Sequence, residues 1–125
     1  MELLYTKNGK EREVCLYYNN NNIGHFTVDE HNMYSMSIGI DDEYQGKGYS
    51  KIMILTMLNK MKEELPNIHS DIMFFIDADA SAGYWDHIGM TTNRYGYDYY
   101  GKRKLEGCGY EKVITFAKLY KFANS

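Results

Sequence analysis

Residues 40–51 read IDDEYQGKGYSK, and the glycines Gly46 and Gly48 bracket Lys47. Upstream, residues 33–40 (MYSMSIGI) alternate as a strand. Tyr34, Met36, Ile38 and Ile40 form its more apolar face, with Met33, Ser35, Ser37 and Gly39 on the other. Downstream, residues 48–65 predict the strongest helix of the chain. Ile54, Met57 or Leu58, Met61 and Leu65 recur at helical spacing, Ile52 and Leu55 widen the stripe, and Pro66 stops it. A glycine-rich strand-to-helix turn is either a tight connection or a cradle that holds an anion on backbone N–H groups.

Two familiar phosphate loops do not fit. A Walker loop needs G-x-x-x-x-G-K-[ST], but Lys47 precedes Gly48 and no glycine stands at the upstream position. A dinucleotide fingerprint needs G-x-G-x-x-G, and its third position falls on Lys51.

The flanks are mostly strands. Residues 2–6, 12–18 and 23–28 predict β-structure, with turns at Asn8-Gly9 and at the asparagine run 19–22. Residues 71–77 (DIMFFID) read as a buried strand. Residues 80–88 (ASAGYWDHI) read as a short helix with Asp79 as N-cap and Gly89 as its stop. A tyrosine-rich stretch to residue 112 reads as a strand and a long loop, and residues 113–122 (VITFAKLYKF) as a closing strand. The expected fold is α+β, one domain over residues 1–125. Its sheet is mixed and mostly antiparallel, with one parallel strand pair and two flanking helices.

Bulk properties narrow the function classes. The chain has 125 residues, 44% apolar and 25% charged, a globular mixture. A net charge of −3 gives no footprint for nucleic acid and a slight pull on amine-bearing partners. The tyrosines at 95, 97, 99 and 100 therefore read as packing, and Lys102, Arg103 and Lys104 as a solvated loop. Cys15 and Cys108 make no CxxC pair. His25, His31, His69 and His87 show no ligand spacing, so no metal is expected. No signal-peptide core opens the chain, and no run approaches about eighteen apolar residues. The expectation is a soluble cytoplasmic protein with free thiols, no membrane partner, and a monomeric or homodimeric state.

The loop resembles the acyl-coenzyme A motif of the GNAT acetyltransferase superfamily, Arg/Gln-x-x-Gly-x-Gly/Ala. Gln45 and Gly48 match its first two positions, and Ser50 stands where glycine or alanine is usual. Residues 81–90 (SAGYWDHIGM) resemble the family's later motif, Ala-x-x-aromatic-Tyr-x-x-x-Gly-Phe. Tyr84 falls on the aromatic, Trp85 on the tyrosine, Gly89 and Met90 on Gly-Phe, and Ser81 replaces the alanine. The resemblance follows element order over roughly residues 33–122. It implies acetyl-CoA as the acyl donor, its pyrophosphate on the backbone of Gly46, Lys47, Gly48, Tyr49, Ser50 and Lys51. It also implies a carbonyl-binding N–H at a strand bulge within Ile38, Gly39 and Ile40.

Three departures follow from the same comparison. The tyrosine proposed to protonate the leaving thiolate falls on Trp85, whose indole donates a hydrogen bond but is no practical acid. Tyr84 is its neighbour, about 100° around the helix. An asparagine usual near the preceding strand end falls on Ala78, and residues 1–32 are too short for the two N-terminal helices of many members. The implied reaction is direct attack of an amine on acetyl-CoA in a ternary complex. The amine is a small amine, a polyamine, or a protein lysine or N-terminus. At pH 7 deprotonating a lysine-type amine, of pKa near ~10.4, costs about 4.6 kcal/mol, so a base, a relay of water or a desolvated pocket is required. Asp77 and Asp79 are the nearby carboxylates, while Asp79 also suits a cap and Asp77 a strand-end charge. The alternative is a GNAT-fold coenzyme A-binding module that regulates a partner.

Overall fold

The computed structural model describes residues 1–31, 34–68, 70–77, 82–92 and 110–125, without the side chains of 77, 82, 83, 92, 110 and 111. Strands β1 (Glu2–Asn8), β2 (Glu11–Tyr18), β3 (Asn21–Asp29) and β4 (Ser35–Ile40) form an antiparallel meander. The β2–β3 turn runs through Asn19 and Asn20 at φ 49° and 66°, a left-handed conformation that asparagine tolerates. A 3-10 turn at Asp42–Tyr44 leads to α1 (Tyr49–Glu64). Then follow β5 (Met73–Asp77), α2 (Ala82–His87), β6 (Thr91–Thr92), β7 (Tyr110–Thr115) and α3 (Phe116–Ala123).

The strands make one seven-stranded sheet in the order β1-β2-β3-β4-β5-β7-β6. Among the described residues only β4 and β5 pair in parallel; the other pairings are antiparallel. That is the mixed sheet expected.

The register assigns the two faces of the N-terminal half. Val14 lies opposite Phe26 and Phe26 opposite Ile38. Leu16 lies opposite Gly24 and Gly24 opposite Ile40. These residues face α1, whose Met53, Ile54, Met57, Leu58 and Met61 are all fully buried. Each such side chain contributes roughly 1.5–3 kcal/mol on burial. The other face carries Glu13, Cys15 and Tyr17 of β2, His25 and Thr27 of β3, and Ser37 and Gly39 of β4, by strand alternation.

One charged side chain is sealed on the α1 side. Arg12 is 0% exposed. Its Nη1 donates to Glu30 Oε2 (2.6 Å) and its Nε to Glu64 Oε1 (3.3 Å), while Nη2 has no partner. Tyr5 Oη donates to the same Glu64 oxygen (2.7 Å), so β1 and β2 are tied to the last turn of α1.

The closing strand expected over 113–122 is corrected. β7 ends at Thr115, whose hydroxyl accepts the Lys118 N–H (3.3 Å) and caps a third helix, α3. Phe116, Leu119 and Ala123 are buried at spacings that only a helix brings to one side. α3 lies along α1. Tyr120 Oη donates to Asn59 Oδ1 (3.1 Å), and Lys51 Nζ donates to Ser125 Oγ (3.1 Å) over the Phe122 ring. The apolar run fits either period, and α1 supplies the surface that selects the helix. Among the described residues no helix is long and apolar enough to cross a membrane.

Candidate active site

The site begins where two parallel strands part. Among the described residues β4 and β5 pair only at Ser35 and Phe75, where the Phe75 N–H donates to the Tyr34 carbonyl (3.2 Å). β4 continues to Ile40 and β5 to Asp77, so their ends diverge. Asp41 donates to the Ile23 carbonyl (2.9 Å), which sets the alternation of the β3–β4 ladder. The N–H and C=O of Ile38 therefore point away from β3, into the opening gap. The Ile40 carbonyl at its mouth accepts Gln45 Nε2 (2.9 Å), which also reaches Asp42 Oδ1 (3.3 Å).

The bulge expected within residues 38–40 is absent from the β3–β4 ladder, which runs in register from Ser35 to Ile40. Divergence from β5, with no bulge, is what exposes the Ile38 amide. Gly39 has a different reason to be glycine: a Cβ there would stand 2.6 Å from Cε1 of His25.

The loop then turns onto α1 through two left-handed glycines, Gly46 (φ 76°) and Gly48 (φ 82°). Nothing lies within 4 Å of a Cβ built on either, so backbone conformation, not crowding, requires glycine. Gly48 is the N-cap of α1 and offers no side-chain cap bond; the first turn holds no acidic residue. The early N–H groups of α1 thus sit at the positive helix end without a side-chain acceptor. Lys47 is exposed, 5.9 Å from the Tyr44 ring centroid. Tyr49 packs on the core and Ser50 is half-buried. Lys51 is engaged by α3, which leaves its main chain, more than its ammonium, for a ligand.

From α2, Tyr84 and Trp85 meet this loop unequally. Trp85 is 0% exposed within the core, and its Nε1 has no partner among the described residues. Its ring packs edge-on to Tyr84, centroids 5.3 Å apart and planes at 70°. The Tyr84 hydroxyl is buried within electrostatic reach of Ser50, but the two fall short of a well-formed hydrogen bond. Burial pushes the phenol pKa up, and Ser50 works weakly against that rise.

Ile38, Gly39 and Ile40, the loop from Gln45 to Lys51, and Tyr84 thus gather around the first turn of α1. Trp85 stands behind Tyr84 in the core. Asp77 closes β5, with the main chain bulged between Ile76 and Asp77; Asp79 lies outside the described residues. His87 is exposed. In the sequence His25 shows no metal-ligand spacing and no other role. Its signal was the register of the hairpin, which sets it opposite Gly39.

A meander, one parallel pair splayed at its end, and a glycine loop opening the crossover helix make this the GNAT-type N-acetyltransferase fold. Mutant forms of the spermidine/spermine N-acetyltransferase SpeG from Vibrio cholerae superpose with a TM-score of 0.54 at 17% identity, over 90% of this chain and 71% of that one. The same Vibrio cholerae enzyme in complex with CoA and spermine gives 0.52 at 17% identity, over 89% and 69%. A Vibrio cholerae protein provisionally assigned as a ribosomal-protein-serine acetyltransferase gives 0.51 at 19%, over 84% and 63%. No family model matches the chain, and no curated protein matches it by sequence.

Proposed function

We propose that this protein is an N-acetyltransferase that moves the acetyl group of acetyl-CoA to an amine by direct attack. One observation carries the reading: the uncapped, glycine-turned start of α1 stands at the mouth of the β4–β5 gap, with the Ile38 amide inside it. The N–H groups of residues 46–51 fit a pyrophosphate. The Ile38 N–H fits the thioester carbonyl oxygen as charge develops on it. Acetyl-CoA supplies the activated acyl group, and its thiol is a good leaving group.

Tyr84 is the proton donor in this proposal. Burial raises its pKa and so favours the protonated phenol, and Ser50 is the neighbour that works against this rise. Trp85, behind it, sets its position by packing. Asp77, the last residue of β5, and Asp79, outside the described residues, are the carboxylates the sequence offers beside that strand. The acceptor class is open to small amines, polyamines, and protein lysines or N-termini. The spermine complex of a structural neighbour makes polyamines the first to test.

Acetyl-CoA titration followed by thermal shift comes first, since a ligand at a hundred times its Kd adds about 2.7 kcal/mol of apparent stability. Thiol release is then followed with spermidine, spermine, lysine peptides and free N-terminal peptides. Saturable stabilisation with release supports the enzyme. Stabilisation without release from any amine supports the coenzyme A-binding module instead. No stabilisation at millimolar ligand removes both.

A further inference from the structure

We infer that His25 is the proton acceptor for the incoming amine, a role that rests on the acetyltransferase reading. Side chains of Met36, Ile38 and Ile40 turn toward α1, and Met36 is buried there. That face of β4 packs toward α1, with Met36 buried and Ile38 and Ile40 half-buried, whereas on the opposite face Ser37 is exposed and Gly39 half-buried, so the gap can be approached from that side. There the His25 ring lies over Gly39. A Cβ on Gly39 would meet Cε1 at 2.6 Å and both Nδ1 and Nε2 at 3.3 Å. The edge carrying both ring nitrogens is therefore laid across the strand that presents the Ile38 amide. His25 is half-buried, and neither nitrogen is hydrogen-bonded to a described residue.

The surroundings suit a proton exchange. From β2, Cys15 lies directly opposite His25, with Glu13 and Tyr17 on the diagonals; Thr27 flanks it along β3, and Gly39 is flanked by Ser37 on β4 and by Asp41 just past its end. No lysine or arginine is among them. Imidazole is the side chain that exchanges a proton near neutral pH. An ammonium group at the mouth of the gap gives one proton to a ring nitrogen, directly or through one water. The neutral nitrogen attacks the thioester carbonyl carbon, the C–N bond forms, and the C–S bond breaks. The nitrogen loses its second proton as the adduct collapses, and the thiolate takes one from the Tyr84 phenol; the proton lost by the nitrogen restores that phenol, and the proton held by His25 leaves to solvent, one released overall. Gly39 is glycine so that this ring can lie over the strand.

The test is His25→Gln, assayed with whichever amine the wild type acetylates. Acetyl-CoA affinity should stay within about twofold and kcat/KM at pH 7 should fall about a hundredfold. The deficit should shrink as pH rises toward the amine's own pKa, because an amine that arrives neutral needs no base. A variant that keeps the wild-type kcat/KM at pH 7 overturns the role of His25 alone. A wild type that binds acetyl-CoA but acetylates no amine overturns this inference and the function together. His25→Asn gives the same reading if the Gln variant melts early.

Discussion

The hydroxyl of Tyr84 is buried beside the side chain of Ser50, at the first turn of α1, and makes no well-formed hydrogen bond among the described residues. Burial raises its pKa, so the phenol keeps its proton through neutral pH, as an acid must. Tyr84→Phe is expected to lower kcat tenfold or more while KM for acetyl-CoA moves by less than about threefold. The melting temperature should hold or rise, because a buried unpaired O–H costs about 1–3 kcal/mol. Steady-state kinetics and a melting curve decide; an unchanged kcat removes Tyr84 as the acid.

Two glycines of the site should fail in different ways. Gly48→Ala forces a Cβ onto φ 82° with open space around it, so strain alone acts, about 1–2 kcal/mol. Lower stability and weaker acetyl-CoA binding are expected together, by melting and calorimetry. Gly39→Ala meets no such backbone strain but collides with the His25 ring at 2.6 Å. The histidine proton resonances should shift strongly while acetyl-CoA affinity changes only a few-fold. Unmoved resonances would contradict the packing.

The Tyr5–Glu64–Arg12 cluster predicts a pH signature. Glu64 is held below the usual carboxylate range, first by the Tyr5 hydrogen bond and then, against burial, by Arg12. A depressed acid stabilises the fold above its unfolded pKa and loses that contribution as pH falls through the folded one. Tyr5 is pushed up to about 12, first by burial and then by Glu64. Its contribution is complete below its unfolded value of 10.0 and is lost as pH rises through about 12. Tyr5→Phe should therefore flatten both limbs of a melting temperature–pH curve. Arg12→Met should cost about 1–3 kcal/mol in urea unfolding, since it strips Glu30 and Glu64 of a charged partner. A cost near zero would mean that water replaces the guanidinium.

Trp85 should behave as core. Trp85→Ala is expected to destabilise by about 3–5 kcal/mol. Trp85→Tyr should lose stability and gain no activity, because the new hydroxyl would be buried where Nε1 already lacks a partner. The emission of this tryptophan should be blue-shifted, and acetyl-CoA should reach it only through Tyr84. A Tyr variant with higher turnover would return the acid to position 85.

The sequence by itself determined the order of elements from β1 to β5, the helix over 49–64 and the glycine loop before it. Those rest on local properties: alternation, helical spacing, Pro66, and glycine's access to left-handed backbone. Residues 116–123 escaped that logic. Phe116, Leu119 and Ala123 suit a helix only once α1 provides a surface to bury them, and surface contact is not written in local period. The division of labour between Tyr84 and Trp85 is likewise a matter of which ring the core swallows. His25 gained meaning only through Gly39, fourteen positions away in sequence and adjacent across a ladder. Strand and helix propensities act over a few residues. Only tertiary packing decides which distant groups share a face, and the candidate chemistry of this protein depends on that sharing.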